Sequence, residues 1–212
     1  MDLPVSGDNY QSEVRRKAFH LFGLVIPLGY LFFPAEGQAK AILAGAMIFG
    51  VFIDICRLNE PRLWSFLDSM IGAVMRPHEK TGLLGSTCLL IASTMTVLIF
   101  PKPVAVSALV LLVAGDTAAA LVGKRWGRVK VFGGKTLEGT LGFLVVGLAL
   151  VEGVAVVAAR LPEAGGGDSL TPQAAAIGAL VGALVEAVPF PIDDNFAIPI
   201  ISGVSMVLAG IH

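Results

Sequence analysis

The apolar positions of this chain fall into long runs more than into alternating stripes. Windows at roughly 18–34, 39–56, 82–100, 103–122, 137–159, 173–190 and 195–211 are apolar almost throughout, near the length that crosses about 30 Å of hydrocarbon as a helix. The first and last are short and contain Pro27 and Pro199, where a missing N–H bends a helix or shifts its end. Residues 60–76 differ. There Leu63, Phe66, Leu67, Met70, Ile71 and Val74 recur at helical spacing while Arg62, Asp68 and Arg76 interrupt, which predicts an amphipathic helix at the membrane interface, with a solvated connector as the alternative. The expected fold is all-α: a polytopic membrane protein of about seven transmembrane helices plus one interfacial helix. No long polar linker separates the runs, so one integral membrane domain over 1–212 is expected.

Charge orients this arrangement. Seven spans leave twelve of the fifteen lysines and arginines on one side, in the segments around Arg15 to Lys17, Arg57 to Lys80 and Lys124 to Lys135, and only Lys40, Lys102 and Arg160 on the other. The positive-inside rule then places the N-terminus in the cytoplasm. Composition agrees: 55% of residues are hydrophobic and 15% charged, with a mean hydropathy of +0.81, against about 25% charged in soluble domains. A net charge of -1 gives no case for a nucleic-acid partner. Cys56 and Cys88 have no metal-ligand spacing and read as small apolar residues. The basic cluster before the first apolar run resembles a signal peptide, but no small-x-small cleavage pattern follows at Pro34-Ala35-Glu36, so a retained first span is expected.

The same orientation sorts the acids. Asp54, Asp116, Glu138, Glu186, Asp193 and Asp194 all fall toward the cytoplasmic side. Asp116 is about 21 Å along its helix from Lys102 at 1.5 Å per residue. Ionisable groups at such depth are costly and mark function more often than architecture. Carboxylates beside cations and glycine-rich turns suit a polyphosphate held with Mg²⁺, which takes one or two carboxylates plus phosphate oxygens and water. Asp116, Asp193 and Asp194 are the metal-ligand candidates, and Lys124, Arg128 and Lys135 the phosphate candidates. Lys124, Arg125, Arg128 and Lys130 equally fit a purely topogenic role; for Asp116 helix pairing is the lesser alternative, because an unpaired acid there is costly.

Gly134-Lys135-Thr136 looks like a Walker element, but position 129 is valine where that motif needs glycine. Thr136 before Leu137-Glu138-Gly139 reads instead as a helix start, where free N–H groups could meet phosphate or a plain cap could form. His20 lies a turn beyond the basic cluster, positioned to hold phosphate, to place a hydroxyl, or only to make a structural hydrogen bond. His78 and Glu79 could close over a nucleotide or stay in a solvated loop. In the sixth window Ala174, Gly178, Gly182 and Glu186 form one face of small residues leading to an acid, as a close helix contact requires. Such faces would also permit a homodimer.

These segments carry a family resemblance. GDTAAALVGKRWG, GGKTLEGTLGF and EAVPFPIDDNFAIP, with RRKAFHLFG near the N-terminus and HEKTG at 78–82, resemble the CTP-dependent lipid kinases, a group including dolichol kinase, phytol kinase and CTP-using diacylglycerol kinase. The wider superfamily includes phosphatidate cytidylyltransferase, whose C-terminal pattern is replaced here by Ile192-Asp193-Asp194-Asn195. The resemblance implies transfer of the γ-phosphate of CTP to a membrane lipid alcohol (polyprenol, phytol-like or diacylglycerol) at the cytoplasmic face, giving a lipid monophosphate and CDP. It implies nucleotide and metal positions at Asp116, Lys124, Lys135, Thr136, Glu138, Asp193, Asp194 and Asn195; His20 and Arg128 are further phosphate candidates by charge and position alone. Asp116, Lys135 and Glu138 are the residues expected to serve catalysis, Asp116 as acceptor of the hydroxyl proton. Two rivals are CDP-lipid synthesis and an ion-coupled carrier. A carrier would show midplane acids and an internal repeat, and neither is visible.

Overall fold

The computed structural model describes residues 7–72, 77–161, 170–189 and 192–210. It is all-helical, and no strand occurs among the described residues. In chain order the helices are α1 (Gly7–Leu21), α2 (Val25–Phe32), α3 (Glu36–Asn59), α4 (Pro61–Ile71), α5 (Gly85–Ile99), α6 (Lys102–Val110), α7 (Asp116–Trp126), α8 (Leu137–Ala158), α9 (Pro172–Ala187) and α10 (Asp194–Gly210). A π-helical segment, Leu111–Gly115, joins α6 to α7 without a break, so Lys102–Trp126 is one 25-residue helix.

Three helices are long and apolar enough to cross a membrane: Glu36–Asn59, Lys102–Trp126 and Leu137–Ala158. Their burial assigns their places. Over its most apolar stretch the Lys102–Trp126 helix is 78% buried within the protein, against 17% for α3 and 22% for α8. It is therefore the central post, and α3 and α8 turn apolar residues such as Ile48, Phe49, Phe52, Leu141 and Val145 outward, as lipid-facing helices do. Shorter apolar helices, α5, α9 and α10, complete the bundle.

The predicted windows and the helices coincide closely from the second onward. The first differs: its apolar run is divided by a 3-10 turn at Phe22–Leu24, so α1 carries the basic cluster and only the eight residues of α2 continue beyond it. Pro27 stands in the first turn of α2, directly after the 3-10 turn, where a helix tolerates a missing N–H best. Pro199 lies inside α10, which continues through it. Residues 61–71 of the predicted amphipathic segment are helical, with Phe66, Met70 and Arg62 exposed. Residues 73–76 and the side chains of Leu63, Leu67, Asp68 and Ile71 lie outside the described residues, as do Gly165 to Gly167 and His212.

The small-residue face of α9 is used inside the chain. A Cβ on Gly178 would stand 2.2 Å from Met206 Cε of α10, and one on Gly182 would stand 3.2 Å from the Phe143 ring of α8. Both contacts depend on glycine letting the backbones approach, and both occupy the face that could otherwise meet a second copy.

At the end holding Lys102 a polar staple closes the bundle. Lys102 is buried, donates to the Phe33 carbonyl at 3.0 Å and stands over the Tyr30 ring, while the Tyr30 hydroxyl donates to Glu36 at 3.1 Å and Glu36 pairs with Lys40. Most of the candidate site side chains gather at the opposite end.

Candidate functional site

At that end lies a cleft of about 210 Å³, walled by α1, the start of α5, the first residue of α7 and the approach to α10. Its polar lining comes from Arg16, Lys17, His20, Glu79 and Asp116, with Asp193, Asp194 and Asn195. Phe19, Leu84 and Leu89 form an apolar wall.

Asp116 is placed here by the central helix: the π segment ends one residue before it, at Gly115. π-helical turns recur at functional sites because the extra residue per turn re-aims the side chains that follow. A Cβ on Gly115 would meet the Phe143 ring at 2.8 Å, so glycine lets α8 come close at this point. Asp116 Oδ2 accepts from Lys17 Nζ at 2.5 Å, and His20 Nε2 is 3.7 Å from the same oxygen. Lys17 and His20 lie three residues apart and so share a face of α1.

A second charged centre stands beside the first. Val131 donates to the Lys135 carbonyl and Lys135 N–H to the Phe132 carbonyl, and a bridge between Lys130 and Thr136 closes the loop. The turn needs Gly133 at φ +53° and Gly134 at φ +89°, both in the left-handed region. It delivers Lys135 Nζ to Glu186 Oε1 at 2.7 Å and Asp194 Oδ2 at 3.3 Å. Burial alone would push the Lys135 ammonium down. The hydrogen bond and charge of Glu186, with the charges of Asp194 and Asp116, outweigh it and hold the group above the ordinary lysine value.

The candidates divide accordingly. His20, Asp116, Asp193, Asp194 and Asn195 line one cleft, and Lys135 joins it through Asp194. Asp193 Oδ1 accepts from both the backbone N–H and the side-chain amide of Asn195, which fixes the turn into α10. Lys124, Arg128, Thr136 and Glu138 stand outside the lining. Lys124 pairs with Glu13 at 2.6 Å. Thr136 caps α8 by accepting from Gly139 N–H, and Glu138 accepts from the Val129 N–H at 3.3 Å. Among the described residues no three His, Cys, Asp or Glu groups converge as a ready metal site. Asp116, Asp193 and Asp194 offer hard oxygens to one cleft, which fits an ion that arrives with phosphate oxygens to complete its shell.

Some residues had no distinct role in the sequence reading. Glu13 is buried and accepts from both Lys124 and Arg16, tying α1 to α7. Lys17 counted only as one of a topogenic trio, yet it is the partner of Asp116. Its signal was the three-residue spacing to His20. Glu79, for which the sequence left a nucleotide contact or a solvated loop, is buried in the cleft lining, while the His78 side chain is outside the described residues.

Comparison with known proteins bears on this cleft. The chain is 30% identical over 200 residues to CTP-dependent diacylglycerol kinase 1 of Schizosaccharomyces pombe, covering 90% of each, and 30% identical over 210 residues to the Saccharomyces cerevisiae protein of the same name, covering 92% of this chain and 72% of that one. An uncharacterised protein of Rickettsia prowazekii is 27% identical over 144 residues, 66% of this chain and 70% of that one. No family model matches the chain. No solved structure matches it either. The alignment with the fission-yeast protein covers nine-tenths of both chains, and on that ground this membrane protein belongs to the CTP-dependent diacylglycerol kinase family.

Proposed function

We propose that the protein transfers the γ-phosphate of CTP to the hydroxyl of a membrane lipid alcohol, with diacylglycerol the leading acceptor, and that the reaction takes place in the cleft between α1, α5, α7 and α10 on the cytoplasmic face of a seven-span bundle. The observation that carries the proposal is the cleft's composition: carboxylates from two helices facing Arg16, Lys17 and His20, with an apolar wall of Phe19, Leu84 and Leu89. A phosphorylated water-soluble donor and an acceptor with a lipid tail need such a two-sided lining. The identity of the donor and acceptor follows the names of the yeast relatives.

Phosphoryl transfer asks for alignment and charge neutralisation more than covalent chemistry. Lys17, Arg16 and Lys135 neutralise phosphate oxygens, exchanging carboxylate partners for the nucleotide. Asp116, Asp193 and Asp194 would hold Mg²⁺, which when bound offsets charge on the terminal phosphates. Asp116 and His20 sit where a hydroxyl presented from the apolar wall could be oriented and relieved of its proton.

The test is purified protein in mixed micelles with γ-labelled CTP, Mg²⁺ and diacylglycerol, a polyprenol or a phytol-like alcohol. Label in lipid with release of CDP supports the proposal and names the acceptor. No labelled lipid across the panel, together with incorporation of α-labelled CTP into phosphatidate, would replace it with CDP-lipid synthesis.

A further inference from the structure

A buried ion pair outside the catalytic charges governs one wall of the cleft. Asp54 and Arg57, one turn apart near the end of α3, are 0% and 1% exposed. Every polar side-chain atom of the pair is engaged. Arg57 Nε donates to Asp54 Oδ1 at 2.9 Å, and Nη2 pairs with the same oxygen at 2.8 Å. Arg57 Nη1 donates to the Glu79 carbonyl at 3.1 Å and Nη2 to the Gly82 carbonyl at 2.6 Å, while Asp54 Oδ2 accepts from the Leu84 N–H at 2.9 Å. The guanidinium also stands 5.2 Å from the Trp64 ring centroid of α4. The segment from Glu79 to Leu84 has no helix or strand of its own beyond one 3-10 turn at Pro77–Lys80, so these side-chain bonds supply what secondary structure does not. The bonded segment delivers Glu79, Leu84 and Gly85 to the cleft. Glycine at 85 leaves room for the carboxylate: a Cβ there would be 2.9 Å from Glu79 Oε1.

We infer that Asp54 and Arg57 are positioning residues, a clamp on α3 that holds the 79–84 segment as a wall of the cleft and keeps Glu79 inside it. The inference rests on the proposed reaction for what the wall serves. A buried pair is seldom worth more to stability than apolar residues of the same size, whereas removing one partner strands a charge. Three bonds to one short segment, from a pair that also holds itself in place, are therefore better explained by what the segment carries than by stability.

Two variants separate clamp from scaffold. Arg57→Lys keeps the charge but loses the fork. Asp54→Leu with Arg57→Met removes both charges together, so no charge is stranded and the bundle keeps its melting midpoint in detergent. In both, hydrogen exchange of the 79–84 amides is expected to rise at least tenfold, and CTP-dependent lipid labelling to fall at least tenfold. In a Glu79→Gln background the same replacements should cost turnover less than threefold further, because residues acting as a unit are not additive. Unchanged exchange at 79–84, or full additivity with Glu79→Gln, would overturn the inference. Wild-type protein that labels no lipid would defeat the proposed reaction alone, since the exchange measurement still decides whether the clamp holds the wall.

Discussion

Lys17 and Asp116 meet across 99 residues of sequence, and that contact sets the expectations at the scale of single residues. Both side chains are largely withdrawn from solvent, so Lys17→Met strands a carboxylate and should lower stability by about 3–5 kcal/mol as well as activity. Asp116→Asn keeps the shape of the site, and Lys135→Ala removes a partly exposed contact. Each is expected to cost roughly 10²–10³ in turnover, the scale of one preorganised charge contact, while the protein still elutes as a folded species in detergent. Arg128→Ala, on the exposed loop beyond Trp126 and outside the cleft lining, should change the labelling rate by less than about threefold. Near-wild-type turnover in Asp116→Asn would remove the cleft from the mechanism. Lys135 adds a pH sign. Because its folded-state value is raised, its contacts contribute fully below the ordinary lysine value and are lost only as pH rises through the raised one. An alkaline fall in turnover below that value should therefore persist in Lys135→Arg. Residue type and depth made Asp116 and the aspartates at 193 and 194 legible from sequence. Glu13 was not, because nothing in its neighbourhood shows that Lys124, 111 residues later, folds onto it.

Elements were read well wherever an apolar run and a cap coincided. Thr136 stood out as a helix start and caps α8 through the Gly139 N–H. The π segment before Asp116 left no mark, because Leu111 to Gly115 continues the apolar pattern and only close packing of Gly115 on Phe143 reveals it. The division of the first window at Phe22–Leu24 was equally silent, since apolar residues run on through it. Helix α8 offers an internal comparison. A Cβ on Gly139 would be 2.8 Å from the Ala119 carbonyl of α7, a backbone atom that cannot swing aside, whereas one on Gly153 meets nothing within 4 Å. Gly139→Ala should therefore cost about 1–3 kcal/mol through overpacking, and displace the loop bearing Lys135. Gly153→Ala should be neutral or gain up to about 1 kcal/mol from helix propensity. Melting midpoints of the two variants in one detergent check this, and equal midpoints would mean that α7 and α8 are not in such close contact.

At the scale of the molecule, the charged groups that pair with one another separate to the two ends of the bundle. Lys102, Glu36 and Lys40 staple one end, and the cleft with its loop of Lys124 to Lys135 occupies the other. In the proposed orientation the cation-rich end is the one that holds the cleft, which is where a cytoplasmic nucleotide would have to enter. Sequence could suggest this sidedness because charge counting needs no contacts. It could not say which helix would be central, since the Lys102–Trp126 helix and α8 have similar apolarity and differ only in burial. Sidedness is open to direct measurement. In a Cys56→Ser, Cys88→Ser background, cysteines replacing exposed Gln38, near the stapled end, and exposed Arg128, on the loop at the cleft end, report opposite surfaces. In sealed right-side-out vesicles a membrane-impermeant maleimide is expected to label the Gln38→Cys protein at once and the Arg128→Cys protein only after permeabilisation. The reverse pattern would put the cleft outside and separate it from cytoplasmic CTP. Equal labelling of both before permeabilisation would mean that the chain between residues 38 and 128 crosses the bilayer an even number of times, against the three crossings by α3, α5 and the central helix that the proposed topology requires.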